Sequence, residues 1–156
     1  MKTCLVGCGG IAAVHGSVLT SGIDTEFVAA ADIKPEKAQS YAENFHTKPY
    51  PSLESMLEAE KPDVLHICTP HYLHVPMAIY SLERNINVFM EKPPAISFDQ
   101  LEELKKAAAK SDAQLGFCYQ NRYNASIRAA KDLIDSGKAG KVLGARAFVT
   151  WCRGAA

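Results

Sequence analysis

No long apolar run, no surplus of charge of either sign and no CxxC pair occur in this chain of 156 residues. Each absence closes a class of function. Without roughly 18 consecutive apolar residues the chain does not read as membrane-spanning. The apolar run after Met1-Lys2-Thr3 is also too short for the core of a signal peptide, so a cytoplasmic protein is expected. Lys and Arg number 17, and Asp and Glu number 17. That balance gives no bulk attraction to nucleic acid or to an anionic membrane, and neither is expected as a partner. Lys105–Lys106 and Lys138–Lys141 read as helix-end and loop charges. Cys4, Cys8, Cys68, Cys118 and Cys152 make an odd set without paired spacing. Such a set excludes a disulfide framework and predicts buried thiols in a reducing compartment.

What is present is ordinary for a folded domain: 47% hydrophobic and 22% charged residues, enough to build a core without disulfide or metal. Apolar runs alternate with helix-period segments. Thr3–Val6, Phe27–Ala31, Val64–Cys68, Asn87–Met90 and Gln114–Tyr119 read as strands. Between them, Ile11, Val14 and Val18 share one helical face, with Gly22 as its cap. Ala38, Tyr41, Ala42 and Phe45 mark a second helix that opens near Pro35. Ser52–Leu57 reads as one or two helical turns. Val75, Ala78, Ile79 and Leu82 mark the next helix, with Pro76 in its first turn and Asn85 left-handed at its end. Ser97 is an N-cap before Phe98, Leu101, Leu104 and Ala108, the expected inner face of a further helix. Asn124–Ser136 is a last helix, stopped by Gly137. Buried strands alternating with helices predict an α/β fold, a doubly wound parallel sheet covered on both faces.

The tail breaks the pattern. Leu143, Ala145, Ala147, Val149 and Trp151 alternate with Gly144, Arg146, Phe148 and Thr150, which predicts a half-buried strand over 142–151 with nothing after it to pair. The expected organisation is therefore a first domain over 1–122 and, over 123–156, a helix and the first strand of a second, missing α/β domain. The strand is also a candidate contact between copies of the chain.

Gly7-Cys8-Gly9-Gly10-Ile11-Ala12 fits G-x-G-x-x-A, between a buried strand and an amphipathic helix. In that context each small residue has a task. Gly7 permits the tight turn, Gly9 lets backbone approach a pyrophosphate, and Ala12 lets helix and strand pack closely. The phosphates then meet unpaired N–H groups, those of Gly10 and Ile11 among them, at the positive end of the helix dipole. A methyl-donor or flavin site is the competing reading of the turn. Asp32 stands 20 residues beyond Ala12, followed by Ile33, at the end of the second strand. A carboxylate there accepts hydrogen bonds from the adenosine ribose and repels a 2′-phosphate, favouring NAD, with NADP as the alternative. Lys34 weakens that preference. The plainer reading makes Asp32 an N-cap for the helix after Pro35.

Ligands on open parallel sheets bind beyond the carboxyl ends of the strands. Thr69-Pro70-His71, Glu91-Lys92-Pro93-Pro94 and Gln120-Asn121-Arg122-Tyr123 fall there. Lys92 could hydrogen-bond a substrate hydroxyl and help move its proton, beside a cationic nicotinamide that eases its deprotonation; a surface lysine is the plainer alternative. His71 and His74 could suggest a metal, but no third ligand is evident and none is expected. His15 reads as a core or surface residue and His66 as a core histidine within a strand.

Taken together, Gly7-Cys8-Gly9-Gly10-Ile11-Ala12, Asp32, Thr69-Pro70 with His74, and Glu91-Lys92-Pro93 resemble the Gfo/Idh/MocA oxidoreductases, the family of glucose–fructose oxidoreductase and inositol dehydrogenase. The resemblance runs over nearly the whole chain, and Glu-Lys-Pro is its specific part. It implies NAD(P)-dependent hydride transfer at a hydroxyl-bearing carbon of a sugar, polyol or related metabolite. It implies that Lys92 assists the reacting hydroxyl, with a cis bond to Pro93, and that Thr69, Pro70, His74 and Glu91 line the cofactor channel. It brings Gln120 and Arg122 to the nicotinamide and the substrate. It also implies a second α/β domain carrying most substrate contacts, a catalytic Asp and His, and a homo-oligomer interface. The chain is thus expected to hold the cofactor half of an active site and to be inactive alone. A non-catalytic dinucleotide sensor or scaffold is the alternative, and a truncated reading frame a third.

Overall fold

Six short segments pair side by side in parallel, in the order β3-β2-β1-β4-β5-β6. They are β1 (Lys2–Val6), β2 (Glu26–Ala31), β3 (Lys48–Tyr50), β4 (Val64–Ile67), β5 (Asn87–Glu91) and β6 (Leu115–Cys118). The helices are α1 (Gly10–Leu19), α2 (Pro35–Phe45), α3 (Leu53–Glu60), α4 (His74–Leu82), α5 (Phe98–Lys110) and α6 (Ala125–Asp135). This computed structural model describes residues 1–21, 24–148 and 150. The chain falls into two units, Met1–Tyr119 and Gln120–Ala156.

The first unit is the doubly wound sheet that the alternation predicts. Alternate residues of β1 and β2 feed two cores, one on each face of the sheet. Cys4, Val6, Ala29, Ala31, Leu65, Ile67, Val88 and Met90 pack with Leu53, Met56 and Leu57 of α3, Val75, Ala78 and Leu82 of α4, and Leu104 of α5. On the other face Leu5, Ala30 and Cys68 pack with Ala12 of α1 and Tyr41 of α2. Burial of this kind is what lets a parallel sheet read as nearly continuous apolar runs. The short strand β3 was not evident in the sequence. It contains Pro49 and lies at the edge of the sheet, where a missing ladder donor is tolerated.

Local signals were reliable where a side chain or a backbone angle had one clear task. Ser97 Oγ accepts the Gln100 N–H at 3.2 Å and Ser52 Oγ the Ser55 N–H at 3.1 Å, each satisfying a first-turn donor. Asn85 adopts φ 55° after α4, and Gly137 φ 71° after α6. Two inner faces differ from expectation. In α1 the buried residues are Ala12, His15, Gly16 and Leu19, whereas Ile11, Val14 and Val18 are exposed. The helix approaches too closely for bulk: a Cβ on Gly16 would lie 2.6 Å from the Tyr41 hydroxyl. In α5 only Leu104 is buried, and Phe98 projects to solvent from the first turn. The expected cap Gly22 lies outside the described residues; α1 is capped at Thr20.

Among its described residues the second unit holds a 3-10 turn, Gln120–Tyr123, and α6, whose N-cap is Asn124. The strand expected over 142–151 is not formed at residues 142–148 or 150. A strand exists only where a neighbour completes its hydrogen-bond ladder, and none does so among the described residues. Val149 and Trp151 lie outside them.

Candidate dinucleotide site

Parallel strands put all their carboxyl ends on one edge of the sheet, and the first-unit residues Gly7–Ala12, Asp32, Thr69–Pro70 and Glu91–Lys92 fall at that edge. The order reverses between β1 and β4, so the crevice opens between the turn after β1 and the segment after β4. Those two stretches touch. The Cys68 N–H donates to the Val6 carbonyl at 2.8 Å. A Cβ on Gly7, which holds φ 91°, would lie 2.7 Å from the Cys68 carbonyl carbon and the Thr69 nitrogen. Gly7 is required here by angle and by space together.

Gly9 is the N-cap of α1 and Gly10 its first residue. In front of both the space is open: an added Cβ would meet nothing within 4 Å. The first-turn N–H groups, including those of Gly10 and Ile11, have no acceptor within the helix. A cradle of open space lined by amide donors at a helix's positive end fits a diphosphate. Ala12 is fully buried, and its carbonyl accepts the Tyr41 hydroxyl at 2.7 Å, which ties α1 to α2.

Asp32, just past β2, faces this turn. Its Oδ2 accepts the Cys8 N–H at 2.9 Å and its Oδ1 the Lys34 N–H at 2.9 Å. The carboxylate therefore ties the glycine turn to the end of β2, and each oxygen keeps a lone pair for a ribose hydroxyl. The N-cap of α2 is Lys34, not Asp32. Ile33 is exposed beside it. The Cys8 thiol is pushed up to about 12, by burial first and by Asp32 second, so it is a neutral group and not a nucleophile. Cys4 is likewise pushed to about 12, and Cys68 is raised further.

At the ends of β4 and β5 the structure separates wall from scaffold. Pro70 and Lys92 are exposed, and Thr69 is half-buried. The Lys92–Pro93 bond is cis, in agreement with the resemblance. His74 is fully buried. Its Nδ1 lies 2.8 Å from the Pro93 carbonyl and its Nε2 2.9 Å from the Thr69 carbonyl. Its side chain thus joins the two segments that follow β4 and β5. Glu91 is also buried, and its Oε2 accepts the Lys92 N–H at 3.3 Å. Gln120 and Arg122 belong to the second unit and are exposed in its 3-10 turn. A cavity of about 530 Å³ lined by Glu58, Lys61, Asp63, Arg84 and Asn87 holds none of these residues; it lies where β4 and β5 begin.

One grouping was missed in the sequence. His15 of α1 lies 3.0 Å from His66 of β4 and 3.0 Å from Glu91 of β5. The signal was present. His15 follows Ala12 by three residues on the buried face of α1, and His66 alternates with Leu65 and Ile67, which places it on the α1 side of the sheet.

The family model of an oxidoreductase family with an NAD-binding Rossmann fold matches residues 1–119. The chain belongs to the Gfo/Idh/MocA oxidoreductase family. Its first unit is that family's NAD-binding domain. Over 91% of its length the chain is 28% identical to the D-glucoside 3-dehydrogenase of Escherichia coli (strain K12), covering 41% of that protein. It is 28% identical to the inositol 2-dehydrogenase/D-chiro-inositol 3-dehydrogenase of Lacticaseibacillus casei, over 94% of this chain and 44% of that one. Among solved structures, the WlbA dehydrogenase from Bordetella pertussis, in complex with NADH and UDP-GlcNAcA, superposes with a TM-score of 0.86 at 31% identity. That match covers 89% of this chain and 43% of the other. This Gfo/Idh/MocA chain therefore spans about two fifths of the length of the relatives it matches. Among the described residues no helix is long and apolar enough to cross a membrane.

Proposed function

We propose that this chain is the cofactor-holding part of a Gfo/Idh/MocA oxidoreductase that moves a hydride at a hydroxyl-bearing carbon of a sugar, a polyol or a related metabolite. The observation that carries the reading is the joint between Asp32 and the Cys8 N–H, which sets the ribose-binding carboxylate against the phosphate-binding turn. When bound, NAD supplies the hydride acceptor and NADH the donor. The chain's own residues divide the remaining work. Gly7, Gly9, Gly10 and Ile11 present the turn and its amides, and Ala12 seats α1. Asp32 holds the ribose hydroxyls, with Ile33 alongside the adenine end. Thr69 and Pro70 form one wall of the cleft; His74 fixes that wall to Pro93. The Lys92 amine, exposed at the end of β5, accepts a hydrogen bond from the substrate hydroxyl and takes its proton as the hydride leaves to NAD and the carbonyl forms. Gln120 and Arg122 serve the nicotinamide and the substrate. Substrate and oligomer contacts lie mainly in the part of the relatives' length that this chain does not span. The buried neutral thiols suit a cytoplasmic setting.

Calorimetry with NAD and NADP, on this chain and on Asp32→Ser, tests the reading. NAD is expected to bind more tightly than NADP, and the substitution to weaken NAD by about tenfold, the loss of a charge-assisted hydrogen bond, while narrowing the gap to NADP. An unchanged NAD-to-NADP ratio would remove Asp32 from the site.

A further inference from the structure

Between α1 and the sheet lies a buried chain of polar groups that the cofactor cleft does not itself use. His15 and Glu91 are each less than a tenth exposed. The ring of His15 stands at an edge to His66, with centroids 5.3 Å apart, and both rings lie against Phe89. His15 Nδ1 is 3.0 Å from His66 Nδ1, and His15 Nε2 is 3.0 Å from Glu91 Oε1. The other carboxylate oxygen, Oε2, accepts the Lys92 N–H. Cys118 of β6 also hydrogen-bonds Glu91.

The direction of these bonds follows from charge. Burial, the largest single influence, pushes the Glu91 carboxyl up; the hydrogen bonds from His15 and Cys118, the His15 charge and the Lys92 N–H outweigh it and hold the group below the usual carboxylate range. An ionised carboxylate only accepts, so His15 Nε2 must carry the hydrogen. Burial, and His15 beside it, pull His66 down to about 4, so that ring is neutral at pH 7 and carries one hydrogen. The His15 Nε2, Cys118 and Lys92 N–H donors are thus all aimed at the Glu91 carboxylate. The nitrogen, oxygen and sulfur ligand atoms of His15, Glu91 and Cys118 all lie within 4.8 Å of one another. Their contacts are hydrogen bonds, and the second nitrogen of His15 is already engaged by His66, so we assign no metal there.

We propose that His15 is a positioning residue for Lys92: from α1 it fixes the Glu91 carboxylate, which fixes the backbone of the turn that carries the lysine. The proposal rests on the reading of Glu91-Lys92-Pro93 as the reacting end of the site. It links the helix that opens on the phosphates to the strand that ends at the reacting hydroxyl. A buried carboxylate that has lost its donor cannot stay ionised at the same cost, so loss of His15 reaches Lys92 through the protonation of Glu91.

Backbone amide NMR of the chain, followed against pH, tests this at the Lys92 N–H. In His15→Leu, which keeps bulk but has no donor, the midpoint of the Glu91 titration as read at the Lys92 N–H is expected to rise by at least about one pH unit. His15→Gln carries a donor in place of Nε2 and is expected to restore it, which loss of packing alone does not explain. Should the leucine variant fail to fold, long-range nitrogen–proton correlation on the unsubstituted chain reads the His15 ring directly: hydrogen on Nε2 supports the proposal, a bare Nε2 overturns it. Equal Lys92 midpoints in His15→Leu and the unsubstituted chain would also overturn it. So would one equivalent of zinc that removes the Nε2 hydrogen signal. NADH titration runs alongside. Failure to bind NADH would overturn the claim that the held turn serves a cofactor, whereas unchanged Lys92 titration would overturn the part of His15 alone.

Discussion

Gly7 shows how little freedom the phosphate turn leaves to a single residue. Its φ of 91° is strained for any side chain, and a Cβ would press on the Cys68 carbonyl carbon and the Thr69 nitrogen, both at 2.7 Å. These neighbours are backbone held by the sheet and cannot swing aside. Gly7→Ala is expected to cost about 2–4 kcal/mol, read from the urea midpoint, since strain and overlap act together. A loss under about 0.5 kcal/mol, the level of an ordinary surface change, would mean that the turn can relax. The pattern of small residues announced this turn, because only glycine meets such a demand. The roles of the histidines were not legible in the same way. His74 carries the same residue type whether it lines a cleft or stands behind its wall. Only the distances to the Thr69 and Pro93 carbonyls show that its ring joins those two segments.

Elements read well where periodicity and packing coincide, and poorly where close approach replaces bulk. Strands β1, β2, β4 and β5 are largely buried apolar runs whose cores follow from alternation, and β6 is half-buried throughout. Helix α1 misled because its apolar side chains are exposed while its alanine, glycine and histidine face the sheet. A hydrophobic stripe marks the buried face only where the gap between layers has room for it. At the other end of the sheet, Glu60 closes α3 as a buried carboxylate. It accepts the Tyr50 hydroxyl at 2.6 Å and lies 2.9 Å from Lys48 and 3.0 Å from Lys2, joining α3 to β3 and β1. The Tyr50, Lys48 and Lys2 hydrogen bonds hold its carboxyl down at about 2. The Tyr50 hydroxyl is pushed up to about 12, first by its bond to Glu60. Because the folded-state value is depressed, the stabilisation is complete above the ordinary carboxylate range and is lost as pH falls towards about 2. Glu60→Gln is expected to lower stability by about 2 kcal/mol at pH 7. It should also flatten the decline between roughly pH 5 and pH 2. A variant with the same acid-unfolding slope as the parent would show that the cluster is not coupled to folding.

For the molecule as a whole, the parallel order β3-β2-β1-β4-β5-β6 does what no single motif does. It brings four separate peptides to one edge and sets the reversal of strand order beside the glycine turn. Alternation and the right-handed crossover rule made the fold class legible. The tail was not legible, since a strand needs a partner that residues 142–148 do not meet. The family's relatives run well beyond this chain, which covers 41% of one and 44% of another. Residues 1–119 are the family's NAD-binding domain. The central claim, that amides opening α1 grip a diphosphate while Asp32 grips the ribose, is most directly tested by adding NADH to the isotope-labelled chain and following its amide spectrum and melting temperature together. At about a hundredfold excess over Kd, binding is worth about 2.7 kcal/mol, or about 5–10 °C for a chain of this size. The account predicts that rise, with the largest amide shifts at Gly9, Gly10, Ile11 and Asp32. A saturating dinucleotide that leaves both the melting temperature and those amides unmoved would contradict it.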